Sequence, residues 1–365
     1  SPDYDGPNAT PTTATAYPQY QYDAANTGAV PSVRGPTGGI GSAFEFGDGG
    51  SDRRMGSPSL ADGTVYVAEA VADGSDTGQT TVHAVDAADG TGEWAATYPN
   101  TTAAGPTAVA GDRVLAGVGG SVVCLDAASG EQRWALACGR ASGVTVTDEA
   151  LYVVGVDAGT TTVYSLAVTD GTERWRAAID AERYRPTPAV ADGTVYVGGT
   201  ALQALDAASG TEQWRTDHAV SAAPTVADGE VVVGSTGSLR VYETSDGTEQ
   251  WSVELDEEAA ATVAGSPAVA AGAIYVAVAG EMRAYDRESS EQLYAVEHDV
   301  GGAPVVADDH LYVLDAGRLL CLATADGSTA WSYSTQQHTD PGGVAPAVVE
   351  GVAYFPAERL YAIAD

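Results

Sequence analysis

Short runs of alternating apolar and polar residues recur along the chain, and turn-forming residues separate them. In PAVADGTVYVGG (188–199) an apolar run is followed by an Asp-Gly pair and then by a second, alternating run. An Asp-Gly pair between two such runs is a strong signal for a β-hairpin. Copies of this segment begin at Pro58, Pro106, Val144, Pro224, Pro267, Pro304 and Pro346.

A second pattern follows the predicted hairpins. LQALDAASGTEQW (202–214) and VVCLDAASGEQRW (122–134) share an apolar run, a turn with Ser-Gly and a final run that ends in an aromatic residue. The aromatic position recurs every 37 to 43 residues and holds all six tryptophans of the chain, with Tyr294 in one further copy. Each unit therefore predicts four short strands, A to D, with the aromatic residue on strand D.

Eight such units predict an all-β fold, an eight-bladed β-propeller of four-stranded antiparallel blades. The last unit starts at Pro346 and has no strand D of its own before Asp365. Residues 43–46, AFEF, resemble an isolated strand D with Phe44 at the aromatic position. We expect this N-terminal strand to complete the last blade, because closing the ring removes exposed sheet edges. The predicted organisation is a leader over 1–39 and a propeller over 40–365.

The charge of the chain restricts its functions. It has 50 acidic and 16 basic residues among 365, for a formal net charge of -34, and every basic residue is arginine. Such a chain repels nucleic acid and anionic lipid, since binding phosphate requires clustered basic residues. Strong acidity without lysine is typical of extreme halophiles, where salt screens repulsion between carboxylates. The uncharged stretch 259–280 is in register with the repeat, so we interpret it as two buried strands and expect no transmembrane segment.

The repeated motif resembles a known one. Ala204-x-Asp206-x-x-Ser209-Gly210-x-x-x-Trp214 is similar to the tryptophan-docking motif of quinoprotein-type (PQQ-like) propellers, and residues 22–28, YDAANTG, resemble the leader of the BamB-like archaeal group. The resemblance covers residues 40–365 and implies an eight-bladed ring. It also implies two kinds of relative: dehydrogenases with PQQ and calcium in a central funnel, and exported BamB-like scaffolds without a cofactor.

Two interpretations are open for the aromatic residues of the strands D. They are docking residues between blades, or they are stacking platforms for a flat ligand. Their regular occurrence in every strand D favours docking. The predicted docking set is Phe44, Trp94, Trp134, Trp175, Trp214, Trp251, Tyr294 and Trp331.

The D-to-A and B-to-C connections of a propeller share one face, here called the loop face. Clustered guanidinium groups in these connections are able to bind a carboxylate or phosphate. We expect the ligand or partner face to be marked by Arg53, Arg54, Arg140, Arg183, Arg185 and Arg318. The alternative is intramolecular pairing, with Asp180, Glu182 or Asp315 as acceptors.

No combination of residues in the sequence predicts a catalytic centre or a metal site. His218, His298 and His338 lie in connections of different blades, and no compact Glu, Asn and Asp set is assignable to calcium. Cys124 and Cys321 occupy a strand C position that holds small residues in other units, which predicts inert core thiols. Cys138 follows a strand D, and we expect it to be partly exposed.

These observations favour a non-catalytic scaffold or binding module that is exported and associated with the cell surface. We expect a monomer, a protein or cell-envelope partner, no cofactor, and a linker over residues 1 to about 18 that leads from an upstream lipid anchor. The alternative is a PQQ-dependent dehydrogenase that uses PQQ and calcium in the central funnel. Only the family resemblance motivates that alternative.

Overall fold

A computed structural model describes residues 16–30, 33–50, 52–72, 78–101, 104–157, 159–181, 187–255, 262–335 and 344–365. Its regular structure consists of 34 β-strands, arranged in eight sheets. Two of these strands lie in the middle of the uncharged stretch, as expected from the repeat. None of the described residues belongs to a helix long and apolar enough to cross a membrane.

The strands follow the repeat in chain order. The N-terminal part contributes β1 (Ala29–Val30) and β2 (Gly41–Phe46). Blade 1 comprises β3 (Arg53–Met55), β4 (Ser59–Ala61), β5 (Thr64–Val71), β6 (Gln79–Asp86) and β7 (Gly92–Pro99). Blade 2 comprises β8 (Ala104–Ala110), β9 (Arg113–Val118), β10 (Ser121–Asp126) and β11 (Gln132–Ala137). Blade 3 comprises β12 (Arg140–Val146), β13 (Leu151–Asp157), β14 (Thr160–Leu166) and β15 (Glu173–Ile179).

The remaining blades continue in the same way. Blade 4 comprises β16 (Ala189–Ala191), β17 (Thr194–Val197), β18 (Gln203–Asp206) and β19 (Glu212–Arg215). Blade 5 comprises β20 (Thr225–Ala227), β21 (Glu230–Gly234), β22 (Ser238–Glu243) and β23 (Glu249–Glu254). Blade 6 comprises β24 (Val263–Ala270), β25 (Ala273–Val278), β26 (Glu281–Asp286) and β27 (Gln292–Glu297). Blade 7 comprises β28 (Val305–Ala307), β29 (His310–Asp315), β30 (Arg318–Ala323) and β31 (Thr329–Ser334), and blade 8 has β32 (Ala347–Val349), β33 (Val352–Pro356) and β34 (Leu360–Ala364).

Each blade is an antiparallel meander of strands A to D; in blade 1, β3 and β4 both pair with β5 and together form strand A. In blade 4 the order is β16-β17-β18-β19. Its A-to-B turn holds Asp192 and Gly193 at φ 46° and 75°, the left-handed pair that a type I′ hairpin turn requires. The Asp-Gly signal therefore predicted this turn correctly.

The ring closes through the N-terminal strand. β2 pairs antiparallel with β34, and the sheet order is β2-β34-β33-β32. Phe44 lies opposite Ala362, as Trp214 lies opposite Ala204 in blade 4. The predicted eight-bladed propeller, with a last blade completed from the N-terminal side, is confirmed.

The core lies mainly between neighbouring blades. One cluster combines Val232 of blade 5 with Ile274 of blade 6, and both side chains are fully buried. The residues of strands D alternate between exposed and half-buried because each strand D is the outer edge of its blade. Neighbouring strands A contact one another around the axis. Cys138 is only 1% exposed because it packs against Gly155 of β13, so the expected partial exposure of this thiol is wrong.

Candidate functional site

The aromatic residues of the strands D lie at the interfaces between blades. Each tryptophan donates its indole N–H to a main-chain carbonyl beyond its own blade, at 2.8 to 3.1 Å. The pairs are Trp94–Ala127, Trp134–Val168, Trp175–Ala207, Trp214–Thr244, Trp251–Arg287 and Trp331–Pro36. The rings also leave no space at the facing glycine. A Cβ at Gly210, for example, would lie 2.5 Å from Cε3 of Trp175.

Tyr294 and Phe44 occupy the two aromatic positions without tryptophan. A Cβ at Gly327 would lie 2.7 Å from the Tyr294 ring, and one at Gly90 would lie 2.5 Å from the Phe44 ring. Neither ring supplies the indole hydrogen bond, and the buried Tyr294 hydroxyl has no hydrogen-bond partner. All eight residues of the predicted docking set therefore contact, or bond to, the structure beyond their own strand.

At the seam between blades 7 and 8 the leader supplies the docking turn. The Trp331 indole and the Tyr312 hydroxyl both donate to the carbonyl of Pro36, at 2.8 and 3.0 Å. Asp365 Oδ1 accepts hydrogen bonds from the backbone N–H groups of Thr37 and Gly38, at 2.7 and 3.1 Å. In blade 2 the motif Asp126 caps its own turn in the same manner, through Ala128 and Ser129. The turn of blade 8, which is divided between the two ends of the chain, is thus capped by an aspartate in the same way as the continuous turn of blade 2.

The preceding part of the leader, residues 17–30, lies across the end of the axial channel opposite the loop face. We call it the axial segment. Strands A are the inner edges of the blades, and in seven blades the same strand A position donates its backbone N–H to this segment, at 2.6 to 2.9 Å. The donor–acceptor pairs are Leu60–Tyr17, Val109–Pro18, Val146–Gln19, Val190–Ala24, Val226–Ala25, Val269–Thr27 and Val306–Gly28. The acceptor is a backbone carbonyl except in Gln19, which uses its side-chain oxygen.

Three amide side chains of the axial segment add bonds to the inner strands. Gln19 returns a bond to the carbonyl of Val146, Gln21 donates to Pro304, and Asn26 donates to both Pro188 and Pro224. All three amides are buried. The sequence interpretation did not assign a role to these amides, although residues 22–28 resembled a family leader and Asp23 is the only charged residue of the segment in a strongly acidic chain.

The predicted arginines do not converge within the described residues. Arg53 donates to Glu69 at 2.6 Å and pairs with Asp48, while Arg54 is exposed on the same strand β3. Arg140 is exposed in blade 3. Arg318 of blade 7 pairs with the buried Asp315, one of the acceptors named in the alternative interpretation. Arg183 and Arg185 lie outside the described residues.

Glu69 of blade 1 is the centre of a polar cluster next to the closing strand β2. It is 5% exposed and receives hydrogen bonds from Arg53 and from Nε2 of His83, the latter at 3.2 Å. Burial alone raises the pKa of Glu69, but the hydrogen bonds from His83 and Arg53 outweigh it and leave the pKa lowered. Phe46 of β2 packs edge-on against the His83 ring. The cluster therefore ties the closing strand to blade 1.

A pocket of about 460 Å³ opens on the loop face between blades 6 and 7. Its charged lining consists of Glu281, Glu297, His298, Asp299 and Arg318. Three carboxylates against one guanidinium give the pocket an acidic character, and Glu281 is further paired with Arg283. The pocket therefore brings together one predicted arginine and one of the three loop histidines. His218 instead bonds to the Tyr242 hydroxyl, and His338 lies outside the described residues.

The described residues do not supply a calcium site for a quinone cofactor. Within the described ranges, no group of three or more His, Cys, Asp or Glu side chains is placed to hold a metal ion. The carboxylates of a quinone would also require free cationic groups, whereas Arg53 and Arg318 are paired within the chain. The described residues therefore show no set of side chains that fits PQQ with calcium.

Comparison with known proteins places the chain among propellers. The sequence profile of the family described as outer membrane protein assembly factor BamB matches residues 78–180, 159–296 and 260–364. BamB from Moraxella catarrhalis is 17% identical, with a TM-score of 0.69 over 90% of this chain and 98% of that one. The quinohemoprotein alcohol dehydrogenase from Comamonas testosteroni is 14% identical, with a TM-score of 0.74 over 96% and 80%. A europium-containing methanol dehydrogenase is 11% identical, with a TM-score of 0.71 over 89% and 86%. No functionally curated protein matches the sequence.

Proposed function

The chain belongs to the family of the outer membrane protein assembly factor BamB, and from that premise we propose that it is a non-catalytic, exported scaffold that binds a protein partner through its loop face. The matched profile covers most of the propeller. Similarity to dehydrogenase structures at 11% and 14% identity supports the fold alone. Association with the cell surface and a monomeric ring are part of the same proposal.

The acidic pocket between blades 6 and 7 is the observation that carries this assignment. Connecting loops on a rigid scaffold are the usual place for binding residues, and here they form a pocket with exposed Glu297 and Asp299. The opposite end of the axial channel is covered by the axial segment. A basic side chain of the partner suits this pocket, because it would meet three carboxylates at short range.

Capture of the partner from native envelopes at molar salt tests the proposal. We expect Glu297→Gln to weaken capture, since it removes one pocket carboxylate without changing the size of the side chain. Asp62→Asn is the matched control, because Asp62 is an exposed carboxylate in the A-to-B turn of blade 1, on the opposite face. Equal capture by both variants and the unchanged protein would exclude the pocket as the binding site.

The dehydrogenase alternative is tested on the same protein. After incubation with PQQ and Ca²⁺ and extensive washing, we expect no stoichiometric quinone absorbance and no dye-linked alcohol or sugar oxidation. Retained quinone together with such oxidation would replace the scaffold assignment by a quinoprotein dehydrogenase.

A further inference from the structure

The axial segment is bound by the ring as a peptide ligand is bound. Inner strands of a propeller have an unpaired edge facing the axis, and an unpaired edge is a template for pairing with another segment. Here one N–H from each of seven blades reaches the axial segment, and in blade 8 the N–H of Gly351 donates to the carbonyl of Arg34 at 2.7 Å. All eight blades therefore donate a main-chain N–H to the leader.

Side chains of the axial segment make this contact specific. Asn26 lies in the left-handed region at φ 54° and bridges the carbonyls of two blades, Pro188 at 3.2 Å and Pro224 at 3.1 Å. Gly28 lies at φ 62°, and a Cβ there would be 2.8 Å from the Cβ of Ala268. An amide that tolerates positive φ and a glycine at these two places therefore fit the site.

Charge selects the class of peptide. The A-to-B turns around this end of the channel carry Asp62, Asp112, Asp148, Asp192, Asp228, Asp308 and Glu350. Asp112 and Asp228 are paired with arginines, and the other carboxylates of this ring disfavour an acidic peptide at low salt. The one carboxylate of the axial segment, Asp23, is half-buried and is held by the N–H and hydroxyl of Thr27, at 2.9 and 2.6 Å.

We propose that this end of the axial channel is a binding site for an amide-containing peptide of low charge, and that residues 17–30 are its ligand within the same chain. The site holds the segment through contacts rather than through the covalent link to β2. It seals that end of the channel and joins seven blades into one unit. The same segment supplied from outside is therefore able to exchange with the resident one.

Cleavage of the folded protein tests this inference. A protease site is inserted between Gly38 and Gly39, where a Cβ at either position has nothing within 4 Å. After cleavage at 2 M KCl, we expect the fragment that ends at Gly38 to elute with the rest of the chain in gel filtration. A labelled synthetic peptide of residues 16–38 should then replace it slowly. Rapid loss of the fragment with an unchanged melting curve would overturn the proposal.

The isosteric variant Asn26→Asp separates binding from folding, because it is introduced only in the synthetic peptide. A carboxylate has no N–H to donate to the two proline carbonyls, and it adds charge near the acidic turns. Loss of two hydrogen bonds of ordinary strength predicts incorporation at least about tenfold weaker than for the unchanged peptide. Equal incorporation of the two peptides, or of a scrambled one, would show that the channel does not recognise the segment.

Discussion

The energetic effect of the contact between the Trp175 ring and Gly210 can be measured separately from that of backbone strain. Gly210 and Gly193 lie in the same blade at nearly equal φ, 72° and 75°. A Cβ at Gly210 would lie 2.5 Å from the ring, whereas one at Gly193 has nothing within 4 Å. Both alanine variants introduce left-handed strain of roughly 1–2 kcal/mol. Gly210→Ala adds the cost of overpacking, about 1–3 kcal/mol.

Urea unfolding at 2 M KCl measures the free energy of unfolding of both variants with the carboxylate charges screened to the same extent. We expect the free energy of unfolding to fall by about 1–2 kcal/mol for Gly193→Ala and by about 2–5 kcal/mol for Gly210→Ala. In a Trp175→Ala background the ring is gone, so Gly210→Ala should cost no more than Gly193→Ala. Two results would refute interblade docking as the reason for this glycine. One is an equal loss of stability for Gly193→Ala and Gly210→Ala in the otherwise unchanged protein. The other is a loss for Gly210→Ala that stays as large in the Trp175→Ala background.

Three further predictions follow from charge and burial. The net charge is -34, and we expect the melting temperature to rise steeply between 0.1 and 2 M KCl, because the Debye length falls from ~10 Å at 0.1 M to ~3 Å at 1 M. Melting curves at fixed pH measure this effect. A melting temperature that is unchanged or falls with added salt would contradict salt adaptation. Arg133 donates to Asp126 and holds the pKa of that carboxyl at about 2. Because the pKa is lower in the folded than in the unfolded protein, the stabilisation is present above pH ~4 and is lost toward pH 2. In the variant Arg133→Gln, a carboxyl NMR titration should show a higher pKa for Asp126. Burial raises the pKa of Cys124 and Cys138 to about 11 and that of Cys321 to about 12, so a thiol reagent at pH 8 should label none of them until denaturant unfolds the chain and all three react.

The sequence predicted the blades because each strand has a local signal. Alternation, Asp-Gly turns and the aromatic position all repeat, and Phe44 is recognisable as a displaced member of that series. The pairing of Arg53 with Glu69 has no such signal. It depends on β3 pairing with β5 in a register that puts Arg53 opposite Val71 and Met55 opposite Glu69. Sequence spacing therefore did not indicate the partner of the Arg53 charge.

The axial segment escaped prediction for a different reason. Its acceptors are mostly main-chain carbonyls, which every residue has, and its donors are the main-chain edges of the blades. The side chains that bond to the blades are three amides, and isolated Gln and Asn residues in a polar leader are also typical of a linker. Residues 22–28 resembled a family leader, but this gave no contacts, and the other clue was the low charge of residues 17–30, which burial in an acidic ring explains.

The seam between the termini is built as an ordinary blade interface, and this bears on how the ring resists its own charge. In a split blade the missing turn would leave the Trp331 indole and the Tyr312 hydroxyl buried without acceptors, which is costly. Pro36 accepts from both groups, and the Asp365 carboxylate caps the turn that begins there. Repulsion among carboxylates tends to open a ring at its weakest interface. Because the interface between blades 7 and 8 has the same bonds as the other tryptophan interfaces, and the axial segment adds bonds across seven blades, we do not expect the ring to open first at this interface.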